Sequence, residues 1–182
     1  MSRNKQIKKV LTGEIMSKKE REYSAEISDK VIGMLTMFKG KDLSEFPIPC
    51  LTKWLGGSII EAARGMIEVE IKANRNMTNP AGFLHGGIQC AMIDDAMGWA
   101  CATLGYEHQF LSTNLNVDYL GTARADDVVR IKAYIFREGS TLLHAVAEIR
   151  RDDVIIAKAQ SNVYISGKPV DYKNISGSFG RM

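Results

Sequence analysis

The chain has 182 residues, 45% of them apolar and 25% charged, with a formal net charge of +3. That size and composition suit one globular domain with a terminal extension. The positive charge is mild and gathers in Arg3, Lys5, Lys8, Lys9, Lys18, Lys19 and Arg21, far short of a nucleic-acid footprint but compatible with small anionic partners such as phosphates. Cys50, Cys90 and Cys101 form no C-x-x-C pair, and no histidine stands at zinc-ligand spacing, so a reducing compartment and no bound metal are expected. The basic N-terminus is followed by no apolar signal-like run, and Glu14, Glu20 and Glu22 argue against a transit peptide, which makes the expected location cytoplasmic. The longest apolar stretch, 88–104, contains two carboxylates and is shorter than the ~20 residues a membrane span needs.

Residues 1–16 carry no regular period. Ser17 to Glu20 has a capping-box pattern, and Tyr23, Ile27, Val31, Met34, Leu35 and Phe38 then recur at helical spacing up to Gly40, predicting an amphipathic helix packed on the domain or on a second copy. Pro47 and Pro49 interrupt, and a short helix over 49–55 is expected to end at Gly56-Gly57. Alternation over 58–62 and 66–72 around Arg64-Gly65 predicts a hairpin with one wet face. A helix from about His85 to Leu104, closed by Gly105, is apolar nearly all round and therefore predicted to be buried, with Cys90 as a small core residue. Four strands follow, over 112–120, 128–137, 142–150 and 155–166, the last three joined by tight turns into a meander. An antiparallel sheet of about six strands must wrap the helix, because no other element can cover it. Small inward residues Ala145, Ala147, Ala157 and Ala159 would make room. The expected organisation is an extension over 1–45, a core domain over 46–167 and a loose tail over 168–182.

The chain is organised around the stretch from Asn79 to Asp95. Asn79-Pro80-Ala81-Gly82-Phe83-Leu84-His85-Gly86-Gly87 is a polar loop feeding a helix whose first N–H groups lack intrahelical partners, a ready site for a carbonyl oxygen or oxyanion. Asp94 and Asp95 sit in the middle of that apolar helix, where a carboxylate is costly unless it is used or paired. His85 and Asp94 are nine residues apart, which is ~900° of rotation and ~13.5 Å of rise, so they face opposite ways. One chain cannot easily bring its loop amides and its own Asp94 to one carbon atom, whereas a two-fold partner can. Asp95, ~100° round the helix, is expected to pair with a basic group or reach the surface.

These residues, with Ser112-Thr-Asn-Leu-Asn-Val-Asp-Tyr-Leu120 opening the next strand, resemble the hotdog-fold acyl-CoA thioesterases, near the phenylacetate-degradation thioesterase and the mammalian thioesterase superfamily member. The resemblance covers about 49–167 and does not extend to the N-terminal helix. It implies an α+β hotdog fold, a homodimer often paired into a homotetramer, and hydrolysis of acyl-CoA with no cofactor beyond the coenzyme A of the substrate. It further implies that the Gly86 amide, helped by Asn79, polarises the thioester carbonyl. Asp94 then acts as base on water or attacks directly to give an anhydride, and Ser112 orients the water, with Thr113 as a near alternative. His85 shapes the loop or takes a direct part, while Gly87, Thr113 and Phe83 line the substrate. Burial would raise the Asp94 pKa toward the range useful to a base. Arg124, Arg137, Arg150, Arg151 and Lys168 are candidates for the coenzyme A phosphates. The competing readings are a non-catalytic hotdog module that binds an acyl ligand and a hotdog dehydratase, though His85-Gly-Gly is not the dehydratase loop.

Overall fold

A computed structural model describes residues 23–46 and 50–170. The elements in order are helix α1 (Ala25–Met37), a 3-10 turn (Leu43–Glu45), helix α2 (Leu51–Leu55), strands β1 (Ser58–Ala63) and β2 (Met66–Lys72), a second 3-10 turn (Arg75–Met77) and helix α3 (Gly86–Ala102). Strands β3 (His108–Ser112), β4 (Asn116–Tyr119), β5 (Val128–Glu138), β6 (Leu142–Arg151) and β7 (Val154–Pro169) follow. The sheet runs β1-β2-β5-β6-β7-β3, with β4 also paired to β7, and every strand pairing is antiparallel. This is the hotdog arrangement, a curved sheet closed around α3.

Of the strand predicted over 112–120, β4 covers Asn116–Tyr119, and an unpredicted strand β3, His108–Ser112, precedes it. β3 and β4 both pair with the long β7, Ser112 opposite Val163 and Asn116 opposite Gln160. Between them Asn114 Oδ1 accepts from Asn162 N–H, and Ser161 Oγ donates to Asn114 O at 2.7 Å. Side-chain bonds there take the place of the ladder, and the sheet gains a seventh strand. The tail begins later than predicted, since Lys168 and Pro169 still belong to β7. The capping box at Ser17–Glu20 and the prolines at 47 and 49 lie outside the described residues.

Alternation delivers the core. On β2 Ile67, Val69 and Ile71 are buried, on β6 Leu143, Ala145, Ala147 and Ile149, so the inner sheet face is continuously apolar. Ala145, Ala147, Ala157 and Ala159 are all buried, and with their short side chains the sheet can lie close to α3. On the outer face of β2 and β5, Glu68 pairs with Lys132 at 3.4 Å and Glu70 with Arg130 at 2.9 Å. Such exposed cross-strand pairs favour the register more than the stability.

The N-terminal segment closes the other flank of α3. Ser24 caps α1 by accepting from Ile27 N–H, and Ser28 Oγ donates to Thr103 O at 2.6 Å at the far end of α3. Gly105 makes this approach possible, because its φ of +84° and the 2.4 Å that would separate a Cβ from Ser24 O leave room for no side chain. Phe46, fully buried, packs edge-on against Phe38 and Trp99.

Candidate active site

α3 is less enclosed than its composition predicts. Met92, Ile93, Ala96, Met97, Ala100 and Cys101 are buried, while Gly87, Asp94 and Gly98 are exposed and Ala91 half-buried. Positions 87, 91, 94 and 98 follow the i, i+4, i+7, i+11 spacing of one helix face, so the open stripe is built of small residues and one carboxylate.

The loop ahead of α3 is closed by its own residues. Asn79 Oδ1 accepts from Ala81 N–H at 3.0 Å and Phe83 N–H at 3.1 Å, and Asn79 N–H donates to Phe83 O at 2.8 Å. The oxygen of the Asn79 amide is thereby committed to the turn, and its NH₂ end remains for other partners. Leu84 N–H reaches Ala123 O at 2.8 Å, and the Arg124 guanidinium lies 4.3 Å from the Phe83 ring centroid, a cation–π contact that stiffens the loop. Of the five cations proposed for phosphates, Arg124 is the one placed on this loop by these contacts. Arg150 instead pairs with Glu148 at 2.6 Å, and Arg151 donates to Thr122 O at 2.8 Å.

His85 is the N-cap of α3. Its Nδ1 accepts from Gly87 N–H at 2.9 Å, and its carbonyl accepts from Ile88 N–H and Gln89 N–H. Three of the first-turn donors are thus satisfied by one residue, which shapes the loop as expected of a cap. Gly86 N–H makes no hydrogen bond among the described residues.

Asp94 is exposed, where its place in an apolar helix predicts burial. Ser112 Oγ donates to Asp94 Oδ1 at 3.0 Å, so Ser112 and the carboxylate form one unit, drawn together when β3 runs beside α3. Thr113 is directed elsewhere, its hydroxyl donating to Asn162 O at 2.8 Å.

Asp95 is half-buried, and a hydroxyl rather than a basic group receives it. Thr52 Oγ1 lies 3.0 and 2.9 Å from its two oxygens, and Trp99 Nε1 donates to the same Thr52 oxygen at 2.8 Å. This group adjoins a small cavity lined by Leu35, Leu43, Phe46, Ile71 and Met92. Burial pushes the Asp95 carboxyl up to about 6, the Thr52 hydrogen bond opposing and Asp94 adding to the rise. Thr52 was not legible as its partner, since it lies 43 positions away.

Cys90 is half-buried rather than part of the core, its sulfur 3.1 Å from the Tyr119 hydroxyl, which also reaches Gly86 O at 3.1 Å. The spacing of residues offered no signal for this contact, because β4 is brought to the head of α3 by the sheet.

Residues 81–158 match the family model described as the thioesterase superfamily. A Halobacterium salinarum protein provisionally named an esterase is 34% identical over 105 residues, spanning 54% of this chain and 67% of that protein. This chain belongs to the thioesterase superfamily. Human acyl-coenzyme A thioesterase 13 is 29% identical over 87 residues, 47% of this thioesterase-superfamily chain and 61% of the human protein, so less than two thirds of that relative is spanned. Among solved structures, a phenylacetic acid degradation-related protein of Ralstonia eutropha superposes with a TM-score of 0.60 at 27% identity, over 68% of this chain and 98% of the other.

Proposed function

We propose that this protein hydrolyses acyl-CoA thioesters to a free acid and coenzyme A, at sites shared between two copies of the chain. The observation that carries the reading is the separation of two half-sites on one helix. Gly86, with its N–H free of partners among the described residues, opens α3, and Asp94 with Ser112 stands eight residues on, ~12 Å along the axis. Each half lacks what the other has. A second copy packed against the small-residue stripe of α3 brings its Asp94 to the Gly86 of the first, which is the geometry of an isologous dimer.

In that site the thioester carbonyl oxygen takes the Gly86 N–H and the NH₂ end of Asn79, two donors already held in place, so that negative charge developing on the oxygen meets little reorganisation. Asp94 of the partner copy removes a proton from the attacking water, and Ser112 orients the carboxylate. The tetrahedral intermediate collapses with loss of the coenzyme A thiolate. Phe83 and Gly87 border the carbonyl, and Arg124 stands beside them for an anionic group of the coenzyme. The exposed Asp94–Ser112 pair is what distinguishes this reading from a binding module, which has no use for a base there. The location, the tetramer and the absence of a resident cofactor remain part of the same reading. Among the described residues no helix is long and apolar enough to cross a membrane.

The test is a hydrolysis screen over short, long and aromatic acyl-CoA thioesters with Asp94→Ala beside the native chain. Turnover by the native chain, abolished in the variant, is the expected result, and unchanged turnover in Asp94→Ala sinks the assignment. Mixing Asp94→Asn with Asn79→Ala subunits tests the sharing, because a hybrid dimer regains one intact site. No recovery after demonstrated subunit exchange would place both halves in one chain.

A further inference from the structure

We infer that Tyr119 is a positioning residue for the carbonyl-polarising end of α3, holding the Gly86 peptide with its phenol hydroxyl. The inference rests on the reading that the Gly86 N–H receives the thioester carbonyl. It starts from the observation that one side chain touches Gly86 in two ways. The Tyr119 hydroxyl lies 3.1 Å from Gly86 O. Its ring closes over the same residue, for a Cβ at Gly86 would stand 3.1 Å from both Cζ and the hydroxyl oxygen of Tyr119 and 3.3 Å from Cε1. Any side chain at Gly86 would make the Tyr119 ring give way by a few tenths of an ångström.

The directions of the hydrogen bonds follow from the groups. A carbonyl only accepts, so the phenol donates to Gly86 O, and the 3.1 Å contact to Cys90 Sγ is then the thiol donating to the phenol oxygen. A phenol keeps its proton at neutral pH, as this donation needs. The result is a directed chain from Cys90 through Tyr119 to Gly86.

Tyr119 is itself anchored at the end of β4, opposite Ala157, and the next two N–H groups, of Leu120 and Gly121, both donate to Ile156 O. The head of α3 is therefore gripped from two sides. His85 holds it from the loop through Gly87 N–H and its own carbonyl, and Tyr119 holds it from the sheet through Gly86 O. The Gly86 N–H between them is the donor left over, and its direction is set by the two grips. About half of Tyr119 is exposed, at 52%, so the ring also faces the open side on which a substrate would lie.

Tyr119→Phe keeps the ring and removes the hydroxyl. The expected result is a fall in kcat of about ten-fold with KM within about two-fold, less than the 10²–10³ that follows loss of a direct oxyanion donor. Tyr119→Ala is expected to fall at least as far. A role confined to packing predicts native kcat in Tyr119→Phe and a loss in Tyr119→Ala alone, and a role confined to substrate contact predicts a change in KM alone; either outcome overturns the inference. Carbonyl polarisation supplies the second readout. A ketone analogue of an acyl-CoA, with CH₂ between carbonyl and sulfur and ¹³C at the carbonyl, should show a lowered carbonyl stretch on the native protein and a smaller lowering on Tyr119→Phe. An equal lowering on both defeats the role of Tyr119 while leaving Gly86 in place. No lowering or no binding on the native protein defeats the Gly86 reading and this inference together.

Discussion

Asp94 and Asp95 are neighbours in sequence and opposites in the fold. Asp94 stands on the open stripe of α3 with Ser112 beside it, and Asp95 is turned under α1 and α2 against Thr52. One residue of helix, ~100° of rotation, carries a carboxylate from an exposed stripe to a half-buried place at the lining of a small cavity. A position on the exposed flank is open to the chemistry proposed with a second copy, whereas a position facing Thr52 helps hold α2 on the helix. Two identical side chains thus divide into a proposed base and a structural polar anchor through their surroundings alone.

The strongest way to break this division is Asp94→Asn. Hydrolysis should drop by ~10³-fold, the range for loss of a general base, while the thermal midpoint stays near the native value because the group is exposed. A large loss of stability would mean that Asp94 is an anchor as well. Thr52→Val should do the reverse. It strips Asp95 and Trp99 Nε1 of their shared partner and should lower the unfolding free energy by ~2–4 kcal/mol in denaturant titration, with turnover per folded molecule retained.

Asp95→Asn comes next. The carboxyl is held at about 6 against an ordinary 3.8, so its protonated form is favoured by folding. That contribution is fully present below pH ~4 and is lost as pH rises through ~6, a difference of ~3 kcal/mol between the limits. Removing the charge should raise stability at pH 7.5 by ~1–2 kcal/mol and flatten the fall between pH 4 and 7. A native pH profile that is already flat there would contradict the burial of Asp95. The smallest effect belongs to Ser112→Ala, expected to slow turnover ~10-fold by releasing the Asp94 carboxylate, with no change in its pH-independent stability. Unaltered turnover would show that the carboxylate needs no hydroxyl to hold it.

Much of the fold was legible because it is written in local periodicity. The alternation on β2, β5 and β6, the hairpin around Gly65 and the helix from Gly86 all stand as predicted, since a buried face of period 2 or 3.6 must appear in the sequence. The break between β3 and β4 was hidden because Asn114 substitutes side-chain bonds for ladder bonds with residues 47 and 48 positions away. The misplacement of Cys90 and the partner of Asp95 have a similar cause, contacts made by elements distant in sequence.

By itself the sequence determined most of the elements, the resemblance, and Gly86 and Asp94 as candidates at a spacing too long for one local site. It did so because helical rise and rotation depend on residue count alone. Only the tertiary structure decided which carboxylate is the more enclosed, that Ser112 belongs with Asp94, and that Tyr119 closes on Gly86. Those facts depend on where the sheet and the N-terminal segment lie against α3, and no count along the chain contains them.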